Sequence, residues 1–227
     1  MAAIELPQDL SEGLVSFFKE LTRKEAAQAK QQEADLIAAD ILARKAVREE
    51  NELLATDRYY MIFHLNEEVN SYSAKTLVEE MSKWARMCPA EPLTLRINSP
   101  GGDILSGFML FDFLRGLQNQ GHHITTVAFG TAASMAGVIF QVGDKRIIGE
   151  NAHLLVHEAT FRAAGSFGKV EDEVKFVKML HERIMDIFIR KAQGKITREQ
   201  FEAGWKRTDW WMGAEEAVRL GFADEVL

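Results

Sequence analysis

The 227-residue chain contains a single cysteine, Cys88, so it cannot close an intramolecular disulfide. A reducing compartment suits such a chain, and a cytoplasmic protein is expected. Basic charge is in deficit: 27 Lys and Arg stand against 34 Asp and Glu, a net charge of -7. Phosphate binding needs a basic footprint, so nucleic acid and anionic membrane are disfavoured as partners. No apolar run is long enough to span a bilayer. The opening MAAIELPQDLSEGL lacks the basic-then-apolar pattern of a secretory leader. What is present is 47% hydrophobic and 27% charged residues, enough to bury a core and stay soluble. The length suits one ordinary domain with an appendage.

Residues 9–55 have no proline and one glycine, Gly13. Asp9 is placed to cap a first turn, with Glu12 completing a capping box. Leu14, Phe17, Phe18 and Leu21 form one apolar patch, and Leu36, Ile37, Ile41 and Leu42 a second. Between them KEAAQAKQQEAD favours helix without an apolar stripe. The expectation is an arm of one or two long helices over residues 1–57. It is either a solvated arm or one that packs on a neighbouring subunit or partner, since its patches want cover.

From residue 58 strands alternate with helices. YYMIFHL, LTLRI, ITTVAF and HLLVH read as strands. SAKTLVEEMSKWAR, LSGFMLFDFLRGL and a short buried segment from Ala132 read as helices. Alternation of this kind predicts parallel strands with helical crossovers, an α/β fold. A long helix is expected over 169–192, with Val174, Val177, Leu180, Ile184, Ile187 and Phe188 on its apolar side. Glu173, Lys178, Glu182 and Arg190 make its charged side.

Two loops can carry chemistry. Asn98-Ser99-Pro100-Gly101-Gly102 joins a strand to a helix, and its glycines permit close backbone approach. Such a loop presents N–H groups to developing negative charge. Gly130-Thr131-Ala132-Ala133-Ser134-Met135-Ala136 also follows a strand. Small residues there let the chain turn sharply, expose the Ser134 hydroxyl, and set the next N–H at a helix start. This is the logic of a nucleophile elbow without the G-x-S-x-G spacing.

A serine nucleophile needs a base. His157 and His153 lie on one strand at even spacing and share a face, and local pattern does not separate them. His122 and His123 read as surface turn residues, His64 as a strand residue and His181 as an ordinary polar position on the long helix. For the orienting carboxylate, Asp209 stands beside Trp210 and Trp211, where a partly dry site strengthens its field. Asp224 is its nearest competitor.

Taken together, RINSPGGDILSG, GTAASMAG, NAHLLVH and TDWWMGAEEAVRLGFADEV resemble, in the same order, blocks of the Clp proteolytic subunits, a serine peptidase family. The resemblance runs from about residue 59 to the end. It implies Ser134 as nucleophile, His157 as base, Asp209 as orienting acid, and the N–H groups of Gly102 and Met135 as oxyanion hole. It implies a crotonase-like, ClpP-like α/β spiral for residues 58–227, with the long helix as a handle between rings. The loop at 158–168 would bind extended polypeptide by strand addition. The implied assembly is a heptameric ring or a tetradecamer of two rings, serving polypeptide substrates, with an AAA+ unfoldase as partner. No cofactor or metal is implied.

The arm is longer than the family's usual mature N-terminus. The spellings SPGGDILSG and WWMGAEEAVRLGFADEV stand closer to the phage-associated branch, which processes capsid or scaffold proteins. Other readings are an acyl-thioester hydratase or isomerase on the same fold, a Ser-Lys peptidase using Lys145 or Lys169, and a non-catalytic ring subunit. The coincidence of Ser134, His157 and Asp209 favours the peptidase.

Overall fold

The computed structural model describes residues 8–227, with side chains from residue 12 onward. Its contacts divide into two units, one ending at Thr56 and the other covering Asp57–Leu227.

The first unit is one helix, α1 (Gln8–Leu54), of 47 residues. At 1.5 Å per residue it is about 70 Å long. The helix continues unbroken because nothing in 9–55 stops it, and i,i+4 pairs run along it. Glu20–Lys24, Asp40–Arg44, Lys45–Glu49 and Arg48–Glu52 are such pairs, each worth a few tenths of a kcal/mol, or about 0.3–0.5. The helix begins one residue before Asp9, so Asp9 is not its cap by position; the side chain of Asp9 lies outside the described residues. Phe17, Phe18, Leu36, Ile37, Ile41 and Leu42 are all exposed.

The second unit is α/β. Its elements are β1 (Ile62–Leu65), α2 (Ser71–Met87), β2 (Leu93–Ser99), α3 (Ile104–Asn119), β3 (Ile124–Ala133), α4 (Met135–Phe140), β4 (Lys145–Ile148), β5 (His153–Val156), α5 (Phe167–Ala192), α6 (Arg198–Trp205), β6 (Trp210–Gly213), α7 (Ala214–Arg219) and β7 (Glu225–Val226). The main sheet runs β1-β2-β3-β4-β7, all parallel, with helices as crossovers. Strand β5 pairs in parallel with β3 and antiparallel with β6.

Strand β3 serves two layers. Thr125–Ala128 pair with β4, whereas Thr131–Ala133 pair with β5. The change of partner is made at Gly130, where φ is +67° and a Cβ would lie 2.7 Å from Asn98 Oδ1. Only glycine accepts both conditions. The Asn98 amide oxygen also accepts from the Thr131 N–H at 3.3 Å, which fixes the bend.

The core lies between the sheet and helices α2, α3, α4 and α5. Phe63, Leu95, Ile97, Leu114, Phe140 and Phe188 are fully buried. All six residues of α4 are buried, as expected for a helix without a solvent side.

Several boundaries differ from expectation. Strand β1 begins at Ile62, because residues 58–61 form a turn in which the Met61 N–H donates to Arg58 O and Met61 takes φ 57°. The helix expected from Ala132 begins at Met135, since Ala132 and Ala133 are still hydrogen-bonded in β3. The long helix starts two residues early, at Phe167. His122 is buried, not a surface turn residue: the chain folds back after α3, and its Nδ1 lies 2.8 Å from Glu91 O. Among the described residues no helix is long and apolar enough to cross a membrane.

Candidate active site

Ser134 stands between β3 and α4 with φ 54° and ψ -124°. A non-glycine residue held there costs on the order of 1–3 kcal/mol. The surroundings enforce it. The Ser134 N–H donates to Leu155 O at 2.8 Å, tying the corner to β5, and the next residue already begins the buried helix. The Ser134 side chain makes no capping bond to α4, so its hydroxyl is not spent on the helix.

The Asn98–Gly102 loop lies directly on this corner. A Cβ on Gly101 would come within 2.4 Å of Ala133 O, 2.7 Å of Ser134 Cβ and 2.8 Å of Met135 N. Gly101 also has φ +87°. No side chain fits at that position, and the backbone closeness is what the loop requires. Three bonds tie it to residues 67–69: Ser99 Oγ donates to Glu67 O at 2.6 Å, the Val69 N–H to Gly101 O at 2.8 Å and the Asp103 N–H to Val69 O at 2.7 Å. The Gly102 N–H takes no part in that pairing with Val69, and the Met135 N–H opens a helix, where amides lack an intrahelical acceptor. Asp103 then caps α3 by accepting from the Ser106 N–H at 2.7 Å.

His157 follows the last residue of β5. It and Ser134 line one recess, walled by Ile104, Met135, Val138, Val156, Ala159, Ile184 and Phe188. The recess has about 20 Å³ of free volume, room for about one water molecule. His157 Nδ1 lies 2.6 Å from Glu158 O. A carbonyl only accepts, so Nδ1 carries the proton and Nε2 is left as the ring's basic atom. This is the tautomer a general base needs.

Asp209 is exposed and does not line the recess. It immediately precedes β6, whose pairing with β5 ends at Val156↔Trp210. The ladder stops there, one residue short of His157 on one strand and of Asp209 on the other. The Asp209 carboxylate makes no hydrogen bond or ion pair among the described residues.

The other candidates lie elsewhere. His153 is exposed at the far end of β5, about 13 Å along the strand from His157. Asp224 is bound to the buried guanidinium of Arg146, with contacts of 3.1 and 2.5 Å. Its pKa is lowered: burial pulls upward, but the Arg146 bonds and charge outweigh it. Lys145 pairs with Glu225 at 2.8 Å, and neither it nor Lys169 lines the recess. His64 is indeed on β1, with Nε2 2.6 Å from Asp57 Oδ2.

Three features were not singled out from the sequence. Asn98 fixes the β3 bend. Ile104, Val138, Ile184 and Phe188 make the recess apolar. His181, on α5, accepts the Ala159 N–H at 2.7 Å. The helical period places Ile184 and Phe188 on the buried side, but no local pattern shows what they face.

The family model described as Clp protease matches residues 45–227, beginning within α1. Among curated proteins, the chain is 34% identical over 140 residues to the ATP-dependent Clp protease proteolytic subunit 2 of Tropheryma whipplei, covering 61% of this chain and 74% of that protein. It is 27% identical over 170 residues to the ATP-dependent Clp protease proteolytic subunit of Bacteroides thetaiotaomicron, covering 73% and 74%. It is 30% identical over 167 residues to the ATP-dependent Clp protease proteolytic subunit 1 of Leifsonia xyli, covering 73% and 82%.

Proposed function

The chain belongs to the Clp protease family of serine endopeptidases, and from that premise we propose that it cleaves polypeptides through Ser134, His157 and Asp209. The observation that carries this reading is that the strained Ser134 corner and His157, its Nδ1 bound to Glu158 O, line one apolar recess. In the proposed reaction Ser134 Oγ attacks the scissile carbonyl while His157 Nε2 takes its proton. The N–H groups of Gly102 and Met135 bind the oxyanion. His157 returns the proton to the leaving amine, and water then releases the acyl group by the same steps. Asp209 stabilises the imidazolium once the two side chains meet. The recess walls suit an apolar substrate side chain, which enters only after the recess opens.

The assembly follows from the family. Phe176 and Met179 on α5 are exposed, and cover for such side chains is the expected use of a ring-to-ring handle. A heptameric ring or a tetradecamer is therefore proposed. The relatives are called ATP-dependent, and docking of an AAA+ unfoldase is carried over on that basis alone. We propose residues 1–57 as an arm of the peptidase at 58–227, whose patches around Phe17 and Ile37 pack on a neighbouring subunit or a partner.

Turnover of a short peptide with an apolar residue before the scissile bond tests the reading. Ser134→Ala should abolish cleavage with peptide binding retained. Cleavage persisting in that variant contradicts it.

A further inference from the structure

The segment that carries His157 is held at each of its next two residues. The Glu158 carboxylate accepts the Arg207 N–H at 3.2 Å. The Ala159 N–H donates to His181 Nε2 at 2.7 Å. Ala159 is itself a wall of the recess, so the second tie fixes the recess as well as the chain. His181 is in turn seated against the buried ring of Trp205, with centroids 5.4 Å apart. Trp205 packs on Phe201 and Phe201 on Phe188, another recess wall. His181 thus connects the segment after β5 to an aromatic cluster of α5 and α6.

Two features of the site are explained by this tie. The recess is shut to about one water, and His157 is turned to Glu158 O with Asp209 unengaged. His157 and Ala159 belong to this held segment, and both line the recess. Space for an outward shift exists beside His181, in a cleft of about 360 Å³ lined by Glu158, Lys178, Glu202 and Lys206.

We propose that His181 is a positioning residue: its neutral Nε2 latches the Ala159 N–H and so keeps shut the recess wall that carries His157. Substrate binding breaks the latch, opens the recess and frees His157 to meet Asp209. A backbone N–H can only donate, so the latched ring carries its proton on Nδ1. The proposal rests on the reading of Ser134 and His157 as catalytic residues.

Three full-length proteins separate the outcomes. His181→Phe keeps a ring against Trp205 but has no acceptor, whereas His181→Gln can restore one. With an apolar fluorophosphonate, His181→Phe should modify Ser134 about 2- to 10-fold faster than the wild type, the range expected when one neutral hydrogen bond no longer favours the closed form. His181→Gln should return to the wild-type rate. A rate in His181→Phe equal to or below wild type overturns the latch, as does a Gln variant that behaves like Phe. The second measurement needs neither the fluorophosphonate nor a stable His181 variant. In Ser134→Ala protein with ¹⁵N-labelled histidine, the His181 ring should show the Nδ1–H form and shift when a saturating apolar hexapeptide binds. An unchanged His181 signal overturns the proposal. Failure of wild-type labelling at Ser134 would strike the peptidase reading instead, and the histidine signal would still decide the latch.

Discussion

His157 directly follows β5 and Asp209 directly precedes β6, the strand paired antiparallel with it, yet His157 Nδ1 donates to Glu158 O at 2.6 Å and the Asp209 carboxylate is unbonded among the described residues. Extended by one step, the ladder would oppose base and acid at the Cβ separation of about 4.5–5.5 Å usual for directly opposed residues. The local carbonyl holds the tautomer in the resting arrangement, but a neutral carbonyl stabilises an imidazolium less than a carboxylate does. Asp209 is therefore needed when the ring becomes charged.

Asp209→Ala should lower kcat/KM for peptide cleavage by about 10²- to 10⁴-fold, mostly in kcat. Steady-state kinetics on a short peptide measure this. A loss below about threefold would assign the Nδ1 partner to Glu158 O throughout the cycle.

The Ser134 backbone stores strain for function. Ser134→Gly should abolish hydrolysis and also stabilise the fold, because glycine accepts φ 54° without a Cβ penalty. The expected gain is about 1 kcal/mol, or a rise of about 2–4 °C in Tm, read by calorimetry against Ser134→Ala. A Gly variant no more stable than Ala would show that the corner is not strained.

The Arg146–Asp224 pair predicts how stability responds to acid. Arg146 is 3% exposed and also donates to Gln141 Oε1 and Gly221 O. The folded state lowers the Asp224 pKa, so the pair's contribution is present above the ordinary carboxylate value of about 3.9. It is lost as pH falls through the lower folded value. Asp224→Asn should cost about 2 kcal/mol at pH 7, less than in a fully buried pair because the carboxylate is partly open to water. As pH falls below that ordinary value the gap between the variant and the wild type should narrow. Urea melts at pH 7 and pH 3 measure both; a constant gap would contradict the assignment.

Much of this was legible in the sequence, and the exceptions share a cause. Strands β1, β2 and β3 and helices α2, α3 and α5 show clear periods or long apolar runs. Strands β4, β6 and β7 have four, four and two residues; β1 and β5 are no longer than β4, but they stand within the apolar segments YYMIFHL and HLLVH. Trp210 and Trp211 read as neighbours of Asp209, whereas they are a strand whose partner, β5, lies more than 50 residues away in sequence. That pairing brings the segment carrying Asp209 to the end of β5 that leads into His157, and no local pattern carries it. His153 and His157 share parity, so only their places along β5 separate them. His181 looked ordinary because its partner is a backbone N–H, which leaves no mark in the sequence.

The assembly is open to a direct test. The wild type should sediment far above the 25.6 kDa of one chain, and Phe176→Glu with Met179→Glu should lower that mass. A wild type sedimenting as a monomer at micromolar concentration would contradict the ring. Removal of residues 1–55 should alter the assembly if the arm packs on a neighbour; unchanged sedimentation and peptide cleavage would make it a solvated appendage.

The central claim is that Ser134 is a nucleophile activated by His157. Treatment with a fluorophosphonate followed by peptide mass spectrometry tests it most directly. The account predicts a single adduct on Ser134, absent in Ser134→Ala and strongly slowed in His157→Ala. An adduct on another residue, or labelling that persists in Ser134→Ala, would contradict it.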